Sequence, residues 1–481
     1  MARLAEVHSE DHLLVVTGVA VLVAGLGLVV VLDGRAPDGV GSAALIAAGL
    51  FLASLPILAG VGRRDGDRSL FPFLCIALAV KLAGGFARYY LTSAAYGGLA
   101  DASRYDHAGR EWVAALKAGS LVGSVEATQN LGAGTKVMGT ITGVVYSLFG
   151  RNILTGFVVF SWLGFWGLTL AYRALRVGAP EVDHHRYRLL LFFLPSLVFW
   201  PSSIGKDAWM QLTLGLVVLG AAQLTRVTPQ LTGIAWLAAG LTGAALVRPQ
   251  IALAALAPLL VALAIKVKRT VNDRSPPVRS GAVRLIGLGL LGLGGLLVLN
   301  RLGTVFGGDT GDSTAGSVSG VLNRASTITA QGGSEFQATS ATSITDLPMA
   351  TISVLYRPFL WEVDSFVKAI AGLETALLLG LTVVSWRRLR NLPSRLRANR
   401  YLLFLTAFTL VSIVGFSRVG NEGILARQRT QFLPAFVALL CLRSTTGRLD
   451  DVADEEGPDE EARPGFDEDQ PGGGSRGAPV S

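Results

Sequence analysis

The sequence predicts an all-α protein, a polytopic bundle of about 11–13 membrane-spanning helices, and three observations carry that reading. The 481 residues have a mean hydropathy of +0.50, 51% hydrophobic and only 16% charged, whereas soluble domains carry about 25% charged residues. Apolar runs near the roughly 20 residues that cross a bilayer recur along the chain. Lysine and arginine fall in alternate connections between those runs, as the positive-inside rule requires. The 58 glycines suit helices that pack closely in lipid.

Taken in order, the good candidate spans are residues 13–32, 43–61, 69–92, 152–175, 207–224, 251–266, 285–300, 366–386 and 401–417. Shorter or proline-broken candidates are 189–203, 232–247 and 430–442. The first run has acids before it and no small-residue cleavage site after it, so it reads as a retained helix. With the N-terminus inside, connections 62–68, 173–188, 225–231, 266–284 and 387–400 are cytoplasmic. They include the dense basic stretches KVKRTVNDRSPPVR and RRLRNLPSRLRANR. The weakly apolar segments 93–151, 301–350 and 417–429 are then external. Residues 306–346, rich in Gly, Ser and Thr, read as a mobile external loop.

Residues 1–449 form the membrane domain in this reading, and 450–481 a disordered acidic cytoplasmic tail. The tail holds eleven acids against Arg463 and Arg476, a net of −9, so the remainder carries +17 of the overall +8. A basic membrane core fits loops facing anionic lipid, or a phosphorylated substrate; no nucleic-acid partner is expected, because no basic segment sits in a foldable soluble domain. Cys75 and Cys441 lie inside apolar runs and read as core thiols.

The external segments hold the residues that can carry chemistry. Asp101, Asp106 and His107 cluster after the third span, before an amphipathic helix expected from Asp106 to Lys117 that lies in the interface plane. A carboxylate there is a candidate general base or ligand for a metal on a diphosphate; the bland reading makes Asp106 the helix N-cap. In LVFWPSSIGKDAWM, Lys206 and Asp207 open a helix. Asp207 complements its positive end, while Lys206 either snorkels to headgroups or meets a lipid phosphate. Arg248, between two apolar runs, needs a polar cavity, because an unpaired arginine at membrane depth is costly. Arg357 and Glu362 sit among aromatics in a segment that reads as an interfacial re-entrant turn, with mutual pairing the alternative. Arg418, Glu422, Arg427 and Arg429 follow on the same face. Arginine binds phosphate bidentately, so these segments point to an anionic headgroup site.

With those residues in hand, the chain resembles the GT-C superfamily of polytopic glycosyltransferases, closest to its uncharacterised bacterial members. DASRYDHAG (101–109) is similar to the family's acidic first-external-loop motif. GTITGVVYSLFGRN (139–152) is similar to its second interfacial helix, FLPSLVFWPSSIGKDA to its proline-broken span and charged turn, and ARQRTQFLPAF to its late arginine-rich turn. The pattern departs in having extra spans before the acidic loop and in spacing its acids as Asp101 and Asp106.

The resemblance implies sugar transfer from a polyprenyl-phosphate carrier to an envelope glycan or lipid acceptor on the external face of the cell membrane. It makes Asp101 the general base and Asp106 or His107 its helper or a metal ligand. Lys206, Asp207, Arg248, Arg357, Glu362, Arg427 and Arg429 would form the lipid-phosphate site. No metal site is assigned; a divalent cation such as Mg or Mn is left open. A lipid-linked glycan polymerase or ligase is the nearest alternative. A transporter or flippase is the alternative from another class, and a catalytically inactive envelope scaffold a third.

Overall fold

The computed structural model describes residues 39–96, 101–120, 132–226, 228–265, 336 and 343–444. The expected spans 13–32 and 285–300, most of the 301–350 loop and the acidic tail lie outside those residues.

The described chain is helical. Its one β-feature is an isolated bridge between Val182 and Leu442. In chain order the helices are α1 (Val40–Asp65), α2 (Leu70–Tyr96), α3 (Asp101–Lys117), α4 (Ala133–Phe149), α5 (Ile153–Gly178), α6 (His184–Phe193), α7 (Pro195–Phe199) and α8 (Lys206–Thr225). There follow α9 (Thr232–Val247), α10 (Pro249–Ala264), α11 (Leu347–Tyr356), α12 (Phe366–Arg390), α13 (Leu392–Ala398), α14 (Arg400–Phe416), α15 (Glu422–Arg429) and α16 (Leu433–Leu440). Five of them, α1, α2, α5, α8 and α12, are long and apolar enough to cross a membrane; α9, α10, α11 and α14 are shorter and apolar. A 16-residue helix rises roughly 24 Å, a little short of the hydrocarbon core.

Two ends of the bundle differ in charge, and hydrogen bonds between connections define them. At one end Arg176 donates to the Asp65 carbonyl at 3.0 Å, Arg188 reaches Asp67 at 3.1 Å, and Asn399 caps α14 while donating to Gly178 and Glu181. Arg400 donates to the Ile265 carbonyl at 3.0 Å, and Cys441 accepts from the Asp183 amide at 2.7 Å. This basic end also holds Arg63, Arg64, Arg68, Arg387, Arg388 and Arg390, at or beyond the C-termini of α1 and α12, where cations complement the helix dipole. The starts of α1, α5, α8 and α12 and the turn between α9 and α10 lie at the other end.

Glycine sets the central crossing. A side chain on Gly167 would run into the Gln211 backbone, and one on Gly215 into Gly167, so α5 and α8 approach backbone to backbone. Gly240 meets Thr213 and Val217 in the same way between α9 and α8. Small residues at such seams replace the hydrophobic drive that lipid cannot supply.

Two helical runs are interrupted next to a proline. Between α6 and α7 the break falls at Leu194–Pro195, and Pro201 follows α7. Pro201 has no N–H to give the Leu197 carbonyl. The fully buried Lys81 donates there instead at 2.6 Å, with Val198 O at 3.3 Å and Gln211 Oε1 at 3.4 Å. Between α15 and α16 the chain turns at Thr430–Phe432, before Pro434.

The Leu347–Ser365 segment packs along α12 and then turns back to its start. Tyr356 donates to Thr382 and the Pro358 carbonyl accepts from Thr375 at 2.7 Å. Thr375 lies nine residues into α12, roughly 14 Å along it, and the chain then climbs back to Ser365, which caps α12. Arg429, fully buried, donates to the carbonyls of Leu355 and Arg357 at 2.9 and 2.8 Å. It thereby satisfies carbonyls at the buried end of α11. Buried Glu374 lies within electrostatic reach of Arg429 and accepts from the Ser196 amide at 2.6 Å and the Ser196 hydroxyl.

One sequence expectation needs correction: the helix expected from Asp106 begins at Asp101, so Asp106 stands in its second turn and does not cap it. Most of the segment 417–429 is α15, N-capped by Asn421.

Candidate functional site

Five charged residues that the sequence singles out meet at the end of the bundle away from the basic face. α3 supplies Asp101 in its first turn, α8 supplies Lys206 and Asp207, the α9–α10 turn supplies Arg248, and α15 supplies Arg427. Asp207 is the hub. Arg427 Nε donates to its Oδ2 at 2.8 Å, and Arg248 Nη2 lies 3.0 Å from its Oδ1. The second contact is charge against charge without an aligned hydrogen bond, since Oδ1 has no hydrogen-bond partner. The Asp207 side chain is only 4% exposed, and it sits at the second residue of α8, where the positive helix end favours a carboxylate.

Arg427 also reaches Asp101, with Nη1 3.6 Å from Oδ2. Asp101 differs from Asp207 in access, with 49% of its side chain exposed. One guanidinium therefore bridges a buried carboxylate that holds the cluster together and an open one that can meet a substrate. Three cations, Lys206, Arg248 and Arg427, face two carboxylates, and Arg88 adds its field to Asp207.

Two of those cations retain unused donors. Lys206 makes no hydrogen bond or ion pair with a described residue; its ammonium nitrogen lies 3.5 Å from where a Cβ on Gly134 would stand. It is turned inward, not snorkelled. Arg248 Nη1 is buried with no hydrogen-bond partner. A buried donor without a partner costs about 1–3 kcal/mol, and an anion placed between Lys206 and Arg248 would relieve that cost.

Tyr105, one turn after Asp101, is buried against Gly205. Burial, then the Asp101 charge, push its hydroxyl up to about 12, so it stays protonated and able to donate. Arg88 stacks on Phe199 and Trp200 at 4.4 Å each and pins the turn that leads into Lys206.

The other predicted residues lie apart from this cluster. Asp106 accepts from the Tyr146 hydroxyl and from Arg110 at 2.9 Å, tying α3 to α4. Its charge and the burial of Tyr146 raise the Tyr146 pKa, burial being the larger cause. His107 is 74% exposed beside Glu111. Arg357 and Glu362 pair with each other at 2.9 Å, as the alternative reading allows, and Arg357 lies over Phe336 at 4.5 Å. Arg429 faces backbone carbonyls and Glu374.

Among the described residues no three His, Cys, Asp or Glu side chains converge as a metal site. Asp101 and Asp207 are each engaged by Arg427, so the cluster as built favours an anion over a cation.

Sequence reasoning passed over Arg88, Tyr105, Lys81 and Glu374. Arg88, Lys81 and Glu374 are charges inside apolar runs, a default sign of function or special structure. Tyr105 carried no signal beyond its place one turn from Asp101. No protein-family model matches the chain, and no curated protein or solved structure matches it.

Proposed function

We propose that this protein is a membrane glycosyltransferase of the GT-C type, acting at the external face of the cell membrane with both termini cytoplasmic. It moves a sugar from a polyprenyl-phosphate carrier to an envelope glycan or lipid acceptor. The observation that supports it is the pairing of an accessible carboxylate, Asp101, with inward-facing cations whose donors are unused, Lys206 and Arg248.

In this reading Asp101 accepts the proton of the acceptor hydroxyl as its oxygen attacks the anomeric carbon. The bond from that carbon to the phosphate oxygen breaks, and the polyprenyl phosphate leaves with the electron pair. Negative charge grows on the departing phosphate, where Lys206 and Arg248 are already oriented to stabilise it. Asp207 acts through the arginines it holds and is a positioning residue.

The test uses the full chain in nanodiscs with a panel of radiolabelled polyprenyl-phosphate sugars and an envelope-glycan acceptor extract. Sugar transfer is expected with one donor. Asp101→Asn should lower it by about 10²–10⁴-fold, the range of a lost general base. Transfer undiminished in Asp101→Asn would remove Asp101 from the role of base. Unchanged envelope glycans in a strain lacking the gene would remove the transferase reading itself.

A transporter is the second reading, favoured by the interrupted helical runs and by Lys81, Glu374 and Arg429 deep in the bundle. It is the weaker one, because Lys81 and Arg429 each spend their donors on backbone carbonyls.

A further inference from the structure

On the far flank of α3 lies a second, separate basic recess. From Asp101 to Asp106 the helix turns through roughly 140°, which carries Asp106 and Arg110 away from the cluster. There a groove of about 270 Å³ opens between the start of α1, α2, α3 and the start of α5. Its polar lining is Arg110, Arg151, Asn152 and Tyr89; Val40 and Leu154 contribute apolar wall.

The charges in this groove are unbalanced. Arg151 is exposed and makes no hydrogen bond or ion pair with a described residue. Arg110 engages Asp106 through Nε alone and is 47% exposed. Asp106 shares its charge with the Tyr146 hydroxyl, so two guanidiniums stand against one partly neutralised carboxylate. The groove also sits at the N-terminus of α5, whose backbone dipole favours an anion. A recess at the basic end is lined by Arg63, Asp67 and Arg68, where α1 ends and α2 begins, and it serves as the comparison site.

Local backbone geometry keeps the recess shaped. Gly39 has φ 124°, and the Asn152 side-chain amide fills the space that a Cβ at Gly39 would occupy. Asn152 at the same time caps α5 by accepting from the Leu154 amide at 2.8 Å. Below the groove α1 presents an exposed apolar face that includes Leu45 and Leu52, seven residues apart and so on one side of the helix.

We propose that this groove binds a phosphate group, and that the phosphate is the headgroup of a membrane lipid whose chains run along the exposed face of α1. Two arginines supply charge-assisted contacts to the phosphate, and Val40 and Leu154 receive the start of the chains. The site is independent of the proposed sugar transfer.

The test places the full chain in phosphatidylcholine nanodiscs doped with photoactivatable phosphatidylglycerol and maps the labelled peptides. Labelling is expected to concentrate in residues 39–45 and 151–157. Arg110→Gln with Arg151→Gln should lower it about a hundredfold, about tenfold for each of the two lost charge-assisted contacts. Arg63→Gln with Arg68→Gln should leave it unchanged. Arg151→Gln alone, at an exposed and unpaired position, carries the test if the double variant does not fold. Asp101→Asn should keep full labelling, so this proposal and the transferase reading fail separately. Labelling unaffected by loss of Arg110 and Arg151 overturns the site. Displacement of the label by millimolar inorganic phosphate overturns the lipid as its source and leaves a free anion in its place.

Discussion

Asp207 and Asp101 share Arg427 yet answer to different forces, and single substitutions separate them. Asp207→Asn leaves Arg248 and Arg427 without their buried counter-charge, so it should cost about 3–5 kcal/mol of stability, as breaking a buried pair does. Asp101→Asn, half-exposed, should lower thermal stability by less than about 1 kcal/mol, which a melting curve in detergent checks. Asp67 supplies the pH test, in the turn outside the spans. Burial raises its pKa, but the Ser69 hydroxyl and amide and the Arg188 charge outweigh burial and hold it below 3.8. A carboxylate depressed on folding contributes stability that is present above its unfolded value and lost as pH falls through the folded one. Asp67→Asn should therefore destabilise by about 1 kcal/mol at neutral pH, and the gap from the native chain should close below pH 3.8. The five clustered residues were legible one by one, because each is a charge at the end of an apolar run. The pairing of Arg357 with Glu362 stood in the sequence as an alternative that packing selects, whereas the turning of Arg429 toward a helix end was not legible, since packing alone settles it.

At the level of elements, the half-helices depend on buried charge. Arg429 satisfies the C-terminus of α11, and Glu374 holds the start of α7 through Ser196 while lying within reach of Arg429. Arg429→Met should strand the Leu355 and Arg357 carbonyls together with the Glu374 charge. A loss of about 3–5 kcal/mol is expected, read as a lower melting temperature and partial aggregation. Adding Glu374→Gln to Arg429→Met should recover part of that loss, because the second change removes the orphaned charge. The α5–α8 seam gives a complementary case. Gly167→Val drives a side chain into the Gln211 backbone and should cost at least about 1–3 kcal/mol, the usual penalty of overpacking. Hydropathy located α1, α2, α5, α8, α12 and α14 to within a few residues, because long apolar runs are the strongest membrane signal. It misplaced the start of α3, because Asp101–Tyr105 is polar and carries no periodicity until Trp112, Val113 and Leu116 follow.

For the whole molecule, the segregation of charge between the two ends is the property on which the external placement of the site rests. Cys75 and Cys441 are both buried, so an added cysteine reports its own position. Glu111→Cys, near the site, and Arg68→Cys, at the basic end, should be labelled by an impermeant maleimide from opposite sides of intact cells and inverted vesicles. Labelling of both from one side would remove the proposed topology. The same global view gives Lys81 a meaning beyond its own hydrogen bond. A proline 120 positions later withholds one N–H, and the lysine returns it across the bundle. Lys81→Met should therefore be poorly tolerated alone and far better tolerated beside Pro201→Ala, whose amide can supply the Leu197 carbonyl. The two sites are then free to drift only in step, so descendants of this chain should keep both letters or change both.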